Sequence, residues 1–188
     1  MSGERIRKGL ADLAELARAT ASQADLIERL AARYATTLRQ GGTLFFAGNG
    51  GSAADAQHLA TEYVVRFVGS RRAYRAIALT TDSSLLTAAG NDLGFEQVFA
   101  RQVEALAGPG DLLVLHSTSG QSGNLVAAVR AARITGTPVV ALLGRDGGEL
   151  AGLVDEALIV GSHETSRIQE IHLAIEHLIV ARVEEMLA

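Results

Sequence analysis

The chain has 188 residues, of which 48% are hydrophobic and 20% are charged, and its formal net charge at pH 7 is −4. A chain of this size and composition can bury its own core, so we expect one domain over residues 1–188. Cysteine is absent, which excludes disulfide bonds, thiolate metal sites and a cysteine nucleophile. The acidic balance gives no indication of nucleic-acid or membrane partners, and we expect a cytoplasmic protein.

Two helices are predicted over residues 4–40, because apolar side chains recur there at three- and four-residue spacing without a proline. The pattern breaks near Thr20–Gln23, so we expect the segment 1–40 to form a helical hairpin. Charged residues occur in every turn of the first 20 residues, which argues against a signal peptide or a membrane span.

Five short apolar runs follow, each bounded by Gly, Pro, Asp or Ser, and such runs are typical of buried strands. Their sequences are TLFFAG, YRAIAL, DLLVLHS, PVVALLG and EALIVG. Helical patterns lie at residues 53–67, 95–107, 123–135 and 166–186, with shorter helical turns near 83–90 and 148–153. Because strands and helices alternate, we expect residues 41–188 to form a three-layer α/β sandwich around a parallel sheet.

A glycine-rich loop, Gly48-Asn49-Gly50-Gly51-Ser52, joins the first predicted strand to the helix that follows. Glycines allow a close approach of the backbone, and the free N–H groups at a helix start favour an anion. A phosphate or a sugar hydroxyl would fit, although the loop could also be an ordinary strand–helix turn. The pattern lacks the third glycine of the dinucleotide motif and the lysine of a P-loop.

A hydroxyl-rich loop, HSTSGQSGN, occupies residues 116–124 after another apolar strand. Its hydroxyls belong to Ser117, Thr118, Ser119 and Ser122, and neutral donors at a helix start can hold a phosphate dianion. Alone, such a loop is often only a helix cap. Because the carboxyl ends of parallel strands share one edge, however, the two loops together predict a phosphate site.

Histidine and glutamate pairs stand four residues apart on two predicted helices, which puts both side chains of a pair on one helix face. His58 and Glu62 could bind a divalent metal or form a simple surface contact. His172 and Glu176 are read as a structural pair within the last helix.

The last helix also carries Gln169 and His177, eight residues apart, which corresponds to a rise of about 12 Å. One metal could hardly take both side chains from one straight helix. We therefore expect His177 to act across a subunit boundary, in a site that draws Glu62 from another chain.

The sequence resembles the phosphoheptose isomerases of the sugar-isomerase (SIS) domain superfamily, and the resemblance covers nearly the whole chain. It rests on GNGGSAADAQH, TAAGND, STSGQS, GRDGGELAG and RIQEIH, in the family's order and spacing. The resemblance implies a flavodoxin-like fold with a five-stranded parallel sheet. It also implies a homotetramer with sites at subunit interfaces.

By the same resemblance, one zinc ion per subunit would be held by His58, Glu62, Gln169 and His177, with Glu62 and His177 also serving as acid and base. The residues implied to contact substrate and phosphate are Asn49, Gly50, Gly51, Ser52, Glu62, Arg66, Asn91, Asp92, Ser117, Thr118, Ser119, Ser122 and Gln169. The chain departs from the family pattern in two places. One is Gln121-Ser122-Gly123, where relatives often have Asn-Ser followed by a residue with a side chain, and the other is Ser166, where some relatives have an acid.

The activity implied by the resemblance is the conversion of sedoheptulose 7-phosphate to D-glycero-D-manno-heptose 7-phosphate, the first step of activated-heptose synthesis. The same step serves lipopolysaccharide, a surface-layer glycan or a secondary metabolite. An aldose–ketose isomerase needs a base to move a proton between neighbouring carbons and an acid to serve the oxygens. One alternative is a non-catalytic SIS protein that binds the replication initiator, but such proteins typically lack the counterparts of Glu62 and His177. The other is a sugar-phosphate sensor, which is usually fused to a DNA-binding region.

Overall fold

The computed structural model describes residues 3–188. Its helices are α1 (Gly3–Thr20), α2 (Ala24–Arg39), α3 (Gly51–Val64), α4 (Ser83–Asp92), α5 (Ala100–Leu106), α6 (Gly123–Thr135), α7 (Gly148–Ala151) and α8 (Thr165–Leu187). Its strands are β1 (Leu44–Gly48), β2 (Ala76–Ala78), β3 (Leu112–Ser117), β4 (Val139–Gly144) and β5 (Glu156–Val160). None of the helices within residues 3–188 has the length and apolar character needed to cross a membrane.

The five strands form one parallel sheet in the order β2-β1-β3-β4-β5, as the alternating pattern predicted. β1 and β3 are neighbours, with Leu44 opposite Leu112 and Gly48 opposite His116. The strand order reverses between β1 and β3, because the chain adds β2 on one side of β1 and adds β4 and β5 beyond β3 on the other side. Ligands of open parallel sheets bind outside the carboxyl ends of the strands at such a switch point.

The sheet is covered on both faces because successive side chains of a strand point to opposite sides. On β1, Leu44 and Phe46 pack in a core cluster with α2, α3 and α8. Phe45 and Ala47 pack in a second cluster with α4, α5, α6 and α7. Strands buried on both faces read as continuous apolar runs, which confirms the predicted three-layer arrangement.

The N-terminal helices differ from the predicted hairpin. They break at the predicted place, where a short 3₁₀ turn, Ala21–Gln23, joins α1 to α2. The backbone stays in the right-handed helical region at both ends of the turn, at Thr20 (φ −67°, ψ −25°) and Ala24 (φ −53°, ψ −40°). The chain therefore continues along a bent helical path, and α1 contacts α8 where a hairpin would pack it along α2.

The helix predicted over residues 95–107 is interrupted. A 3₁₀ turn at Phe95–Gln97 precedes α5, and the buried Gln102 lies in the first turn of α5. Its side-chain amide donates to the carbonyl of Val98 at 2.8 Å, while its backbone N–H donates to Phe99. A continuous α-helix would instead bond the Gln102 N–H to Val98.

Candidate active site

The two predicted loops meet at the carboxyl edge of the sheet, beside the β1–β3 switch point. Asn49 follows β1, and Asn124 lies in the first turn of α6, after β3. Each side-chain amide donates to the other's oxygen, at 2.9 and 2.8 Å. This reciprocal pair ties the loops together and leaves each amide one further N–H for a ligand. Asn124 is buried and was not singled out from the sequence, although it closes the hydroxyl-rich motif.

The glycine-rich loop turns sharply into α3. Gly50 adopts φ 57°, a conformation that side-chain-bearing residues rarely accept, and it precedes the first residue of the helix. Ser52 is buried, and its N–H donates to the Asn49 carbonyl at 3.0 Å. The Gln169 amide of α8 lies directly against Gly51, where any Cβ would collide with it. The glycine at position 51 thus allows α8 to approach the loop.

The hydroxyl-rich loop uses some of its hydroxyls to hold its own shape. Ser117 Oγ accepts from the Gly120 N–H at 3.0 Å, and Ser119 Oγ accepts from the Gln121 N–H at 3.2 Å. Thr118 and Ser122 are half-buried, and the Ser122 hydroxyl does not cap α6. Unlike the hydroxyls of Ser117 and Ser119, the Ser122 hydroxyl therefore does not hold the loop backbone and is available to a ligand.

Helices α3 and α8 lie side by side and run in the same direction. Gly51 meets Gln169 near their first turns, and His58 meets His177 about two turns further along. The Nε2 atoms of the two histidines are 2.9 Å apart, and Glu62 Oε1 lies 3.4 Å from His58 Nε2. Ligand atoms of His58, Glu62 and His177 all fall within 4.8 Å of one another. We call these three residues the open cluster.

The open cluster fits a divalent metal such as zinc. Two imidazole nitrogens and one carboxylate oxygen converge on one point, and this donor set is the one that catalytic zinc sites use with a further position left for water or substrate. The cluster is also accessible, since the His58 side chain is 44% exposed and that of Glu62 is 18% exposed.

The same geometry corrects the expectation that Glu62 and His177 come from different chains, because one chain supplies both. The sequence argument treated the metal as a single point that both Gln169 and His177 had to reach. In the structure each of them faces a different part of α3. The role of Gln169 as a ligand, like the other implied residue roles, stays a prediction.

The remaining predicted contacts lie at the surface. Arg66 is exposed in the segment that follows α3. Asn91 and Asp92 are exposed at the end of α4, where the Asn91 amide donates to the Asp92 carboxylate at 2.6 Å.

A second group of polar residues lies under the open cluster, between the sheet and α8. Glu176 Oε1 accepts from the Tyr34 hydroxyl at 3.0 Å and lies 3.0 Å from His116 Nε2. His172 lies beside His116, with ring centroids 6.1 Å apart. All four side chains are fully buried. We call them the buried cluster.

Burial sets the protonation of the buried cluster. It lowers the pKa of His172 to about 3, with His116 acting in the same direction, so that His172 is neutral at pH 7. Burial, reinforced by Glu176, raises the pKa of Tyr34 well above its ordinary value, so its hydroxyl remains a donor. His172 is buried, which agrees with its structural reading, but Glu176 bonds to His116 and Tyr34 and not to His172.

Asp55 stands between the two clusters on α3. Burial raises the pKa of its carboxyl group, while His116 and His58 act to lower it. Its Oδ2 atom is buried without a hydrogen-bond partner in the described chain. Asp55 was not selected from the sequence, because a single acid on a helix has no distinguishing pattern.

Comparison with known proteins agrees with this geometry. The SIS domain family matches residues 10–144. A phosphoheptose isomerase from Roseiflexus is 52% identical over 166 residues, which are 88% of this chain and 84% of the relative. Two solved phosphoheptose isomerases have the same fold. The first, from Neisseria gonorrhoeae, has a TM-score of 0.92 at 39% identity, and the match covers 97% of this chain and 98% of the other.

The second structure, from Francisella tularensis, has a TM-score of 0.94 at 34% identity and covers 98% of this chain and 100% of the other. Both matches are well above the level at which only a common fold can be inferred. They extend over the α3–α8 pair, which carries the open cluster, and over both loops at the switch point. The chain belongs to the phosphoheptose isomerase family of SIS-domain proteins.

Proposed function

We propose that the chain is an aldose–ketose isomerase that converts sedoheptulose 7-phosphate to D-glycero-D-manno-heptose 7-phosphate, the first step of activated-heptose synthesis. The observation that carries the proposal is the convergence of His58, Glu62 and His177 on one side of α3 and α8. The open cluster combines a carboxylate and imidazoles that a substrate can reach from solvent, so it can transfer protons to and from a substrate. The buried cluster contains the same groups, but a substrate cannot reach them.

The phosphate of the substrate would bind at the two loops of the switch point. The N-termini of α3 and α6 lie there, and a helix N-terminus favours an anion. Ser122 would donate to the phosphate through its uncommitted hydroxyl, and Asn49 through the amide hydrogen that Asn124 does not use.

The distance between the loops and the open cluster suits the substrate. His58 follows Gly51 by seven residues of α3, a rise of about 10 Å. This is comparable with the length of an extended seven-carbon sugar from its phosphate to its carbonyl end. A sugar anchored at the loops would therefore present its first two carbons to Glu62 and His177.

The two titratable groups would divide the proton transfers between them. Glu62 would remove the proton from the carbon next to the carbonyl and return it to the neighbouring carbon, which passes the sugar through an enediol. His177 would exchange protons with the two oxygens. Its Nε2 atom faces the same space as the Glu62 carboxylate. It can exchange protons only while it is not a metal ligand, so this role requires the substrate to displace it from the ion.

Zinc would be held by His58, Glu62 and His177, while Gln169, the fourth ligand that the family resemblance implies, lies against Gly51 about two turns from the cluster and would have to reach the ion from there. When bound, the ion would supply a Lewis acid that polarises the sugar carbonyl. The single-domain organisation over residues 1–188, the homotetramer and the cytoplasmic setting are further parts of this proposal, and they rest on the sequence alone.

The direct test is to incubate the purified chain with sedoheptulose 7-phosphate, with zinc and after removal of metal by a chelator. We expect conversion to the aldose in the presence of zinc and its loss after chelation. Lack of conversion under both conditions, by a chain that is folded by circular dichroism, would contradict the proposal. It would favour a sensing or partner-binding role.

A further inference from the structure

The imidazole of His177 is packed between two other rings. Its face lies on the ring of Phe67, with centroids 5.4 Å apart and planes inclined by 15°. Its edge meets His58, with centroids 5.2 Å apart and planes inclined by 76°. Phe67 is half-buried and lies just beyond the end of α3. The orientation of the imidazole is therefore set by a residue outside both helices.

The segment that carries Phe67 is fastened to α8 by a single carboxylate. Glu184 accepts hydrogen bonds from the backbone N–H groups of Phe67, Val68 and Gly69, at 3.0, 3.1 and 3.0 Å. It also accepts from Arg71 Nε at 2.7 Å. Each carboxylate oxygen thus receives two donors, and the segment is fixed at three consecutive peptide groups.

Arg71 links Glu184 to the end of α3. Its Nη2 donates to the Glu62 carbonyl at 2.7 Å, and its Nη1 donates to the Tyr63 carbonyl at 2.9 Å. These carbonyls belong to the last turn of α3, where helix carbonyls lack intrahelical partners and a cation is favourable. Its guanidinium also stacks on Tyr74, 4.0 Å from the ring centroid.

The pair of Glu184 and Arg71 differs from the surface ion pairs of the chain. Each side chain is only 11% exposed, while the next acid on α8, Glu185, is 66% exposed in its pair with Arg182. Exposed pairs contribute little to a structure, and well-ordered pairs with several donors fix geometry. Burial would raise the pKa of Glu184, but the three N–H groups and Arg71 outweigh it and keep the carboxylate charged.

We propose that Phe67 is a positioning residue for His177, held in place by the pair of Glu184 and Arg71. The inference rests on the proposed function, because it concerns the histidine assigned to proton exchange. An imidazole can rotate about its bond to Cβ, and only some orientations aim Nε2 at the space shared with Glu62. The stacked ring restricts that rotation, and an error of about 1 Å at a reacting group can cost about a hundredfold in rate.

The first experiment compares Phe67→Leu with Phe67→Tyr. Leucine keeps an apolar contact but has no planar face, and tyrosine keeps the face. We expect kcat to fall between about tenfold and a hundredfold in Phe67→Leu, with KM unchanged within about twofold, and to be retained in Phe67→Tyr. Unchanged kcat in Phe67→Leu would overturn the proposal. A rise in KM alone would also overturn it, since it would make Phe67 a substrate contact.

A second readout does not depend on activity. In a proton NMR spectrum of the full-length, histidine-labelled protein, the His177 ring signal should be shifted by the Phe67 ring current. The signal is assigned with His177→Gln, and we expect the shift to vanish in Phe67→Leu and to persist in Phe67→Tyr. If the shift vanishes while kcat stays normal, the positioning role is wrong and the proposed function stands. If the unmodified protein does not turn over substrate, the proposed function fails, and the NMR result still shows whether the Phe67 ring stacks on His177.

The third experiment asks whether Glu184 acts through Phe67. Glu184→Gln puts an NH₂ group opposite backbone donors, so we expect kcat to fall with a loss of the His177 ring-current shift. In the double variant with Phe67→Leu, the loss should be no greater than in Phe67→Leu alone. Glu185→Gln is the matched control, with the same chemical change one residue further on α8 and an expected kcat within twofold. Additive losses would show that Glu184 acts independently of Phe67.

Discussion

Glu176 and His177 are neighbours on α8, yet their side chains belong to different clusters. Glu176 points into the molecule, where it bonds to Tyr34 and lies against His116 with no exposed surface. His177 points toward α3 and meets His58 and Glu62 in a partly exposed group. One residue step rotates a side chain by about 100° around a helix, and this rotation separates the two environments.

The comparison shows that environment, and not residue type, separates the two roles. Both clusters contain histidine and glutamate at helical spacing. In the buried cluster, His172 is kept neutral and Glu176 is committed to two partners, because unpaired charge is costly away from water. In the open cluster, two imidazole nitrogens and a carboxylate face one accessible space, where a metal and a substrate can compete for them.

The largest expected effect is the loss of turnover in Glu62→Gln, which tests the role of the open cluster. The change keeps the shape of the side chain and removes the proton acceptor, so turnover should fall by about 10²–10⁴-fold, as it does when a general base is lost. The measurement is kcat at saturating zinc and sedoheptulose 7-phosphate. Glu104→Gln is the control, because Glu104 forms an exposed pair with Arg101 on α5. Near-normal turnover in Glu62→Gln would show that Glu62 is not the general base.

The corresponding change in the buried cluster should affect stability. Glu176→Leu leaves His116 and Tyr34 without their partner, and removing one member of a buried pair typically costs about 3–5 kcal/mol. Urea unfolding at fixed protein concentration measures the free energy of unfolding. We expect Glu62→Gln to change it by less than about 1 kcal/mol, since Glu62 is partly exposed. Equal losses in both variants would make the two clusters one structural unit.

The phosphate end of the site is tested by Ser122→Ala. A hydrogen bond to a charged group contributes about 1.5–3 kcal/mol, so KM for the 7-phosphate should rise by about ten- to a hundredfold. Inhibition by the unphosphorylated sugar should change much less, because it lacks the phosphate. A similar loss for both ligands would indicate that Ser122 only shapes the loop.

The last prediction concerns how the free energy of unfolding depends on pH on the acid side. His172 stays neutral in the folded chain down to pH about 3, while in the unfolded chain it protonates near its ordinary pKa of 6.5. The unfolded state then binds more protons between these values, so stability rises with pH, by up to about 1.4 kcal/mol per unit from this residue. His172→Leu should flatten that slope. His163→Leu, a change at an exposed histidine, is the control. An unchanged slope in His172→Leu would contradict the assignment.

Local patterns predicted the features that depend on local sequence. The strands of the sheet followed from apolar runs bounded by breakers, and the shared face of His58 and Glu62 followed from their spacing on α3. Gly50 was selected as part of a glycine-rich loop between a strand and a helix, and its positive φ is a conformation that glycine adopts readily. These features involve neighbours in the chain, so the sequence carries them directly.

Most of the contacts missed at the site join residues that are far apart in the chain. Asn124 pairs with Asn49, His116 with Glu176, and Arg71 with Glu184, and each pair is joined only by the packing of distant elements. The cross-chain expectation failed for the same reason. Gln169 and His177 were judged along one helix, and the parallel course of α3 beside it was not visible in the spacing.

The central claim is that one chain supplies both Glu62 and His177 to a site, and subunit mixing tests it most directly. Inactive Glu62→Gln and His177→Ala chains are mixed and allowed to exchange, and mixed oligomers are verified by mass spectrometry. If each site is built within one chain, every site keeps a lesion and activity should not return. Recovery of activity in the mixed oligomers would mean that some sites combine intact residues from two chains, which would contradict the account.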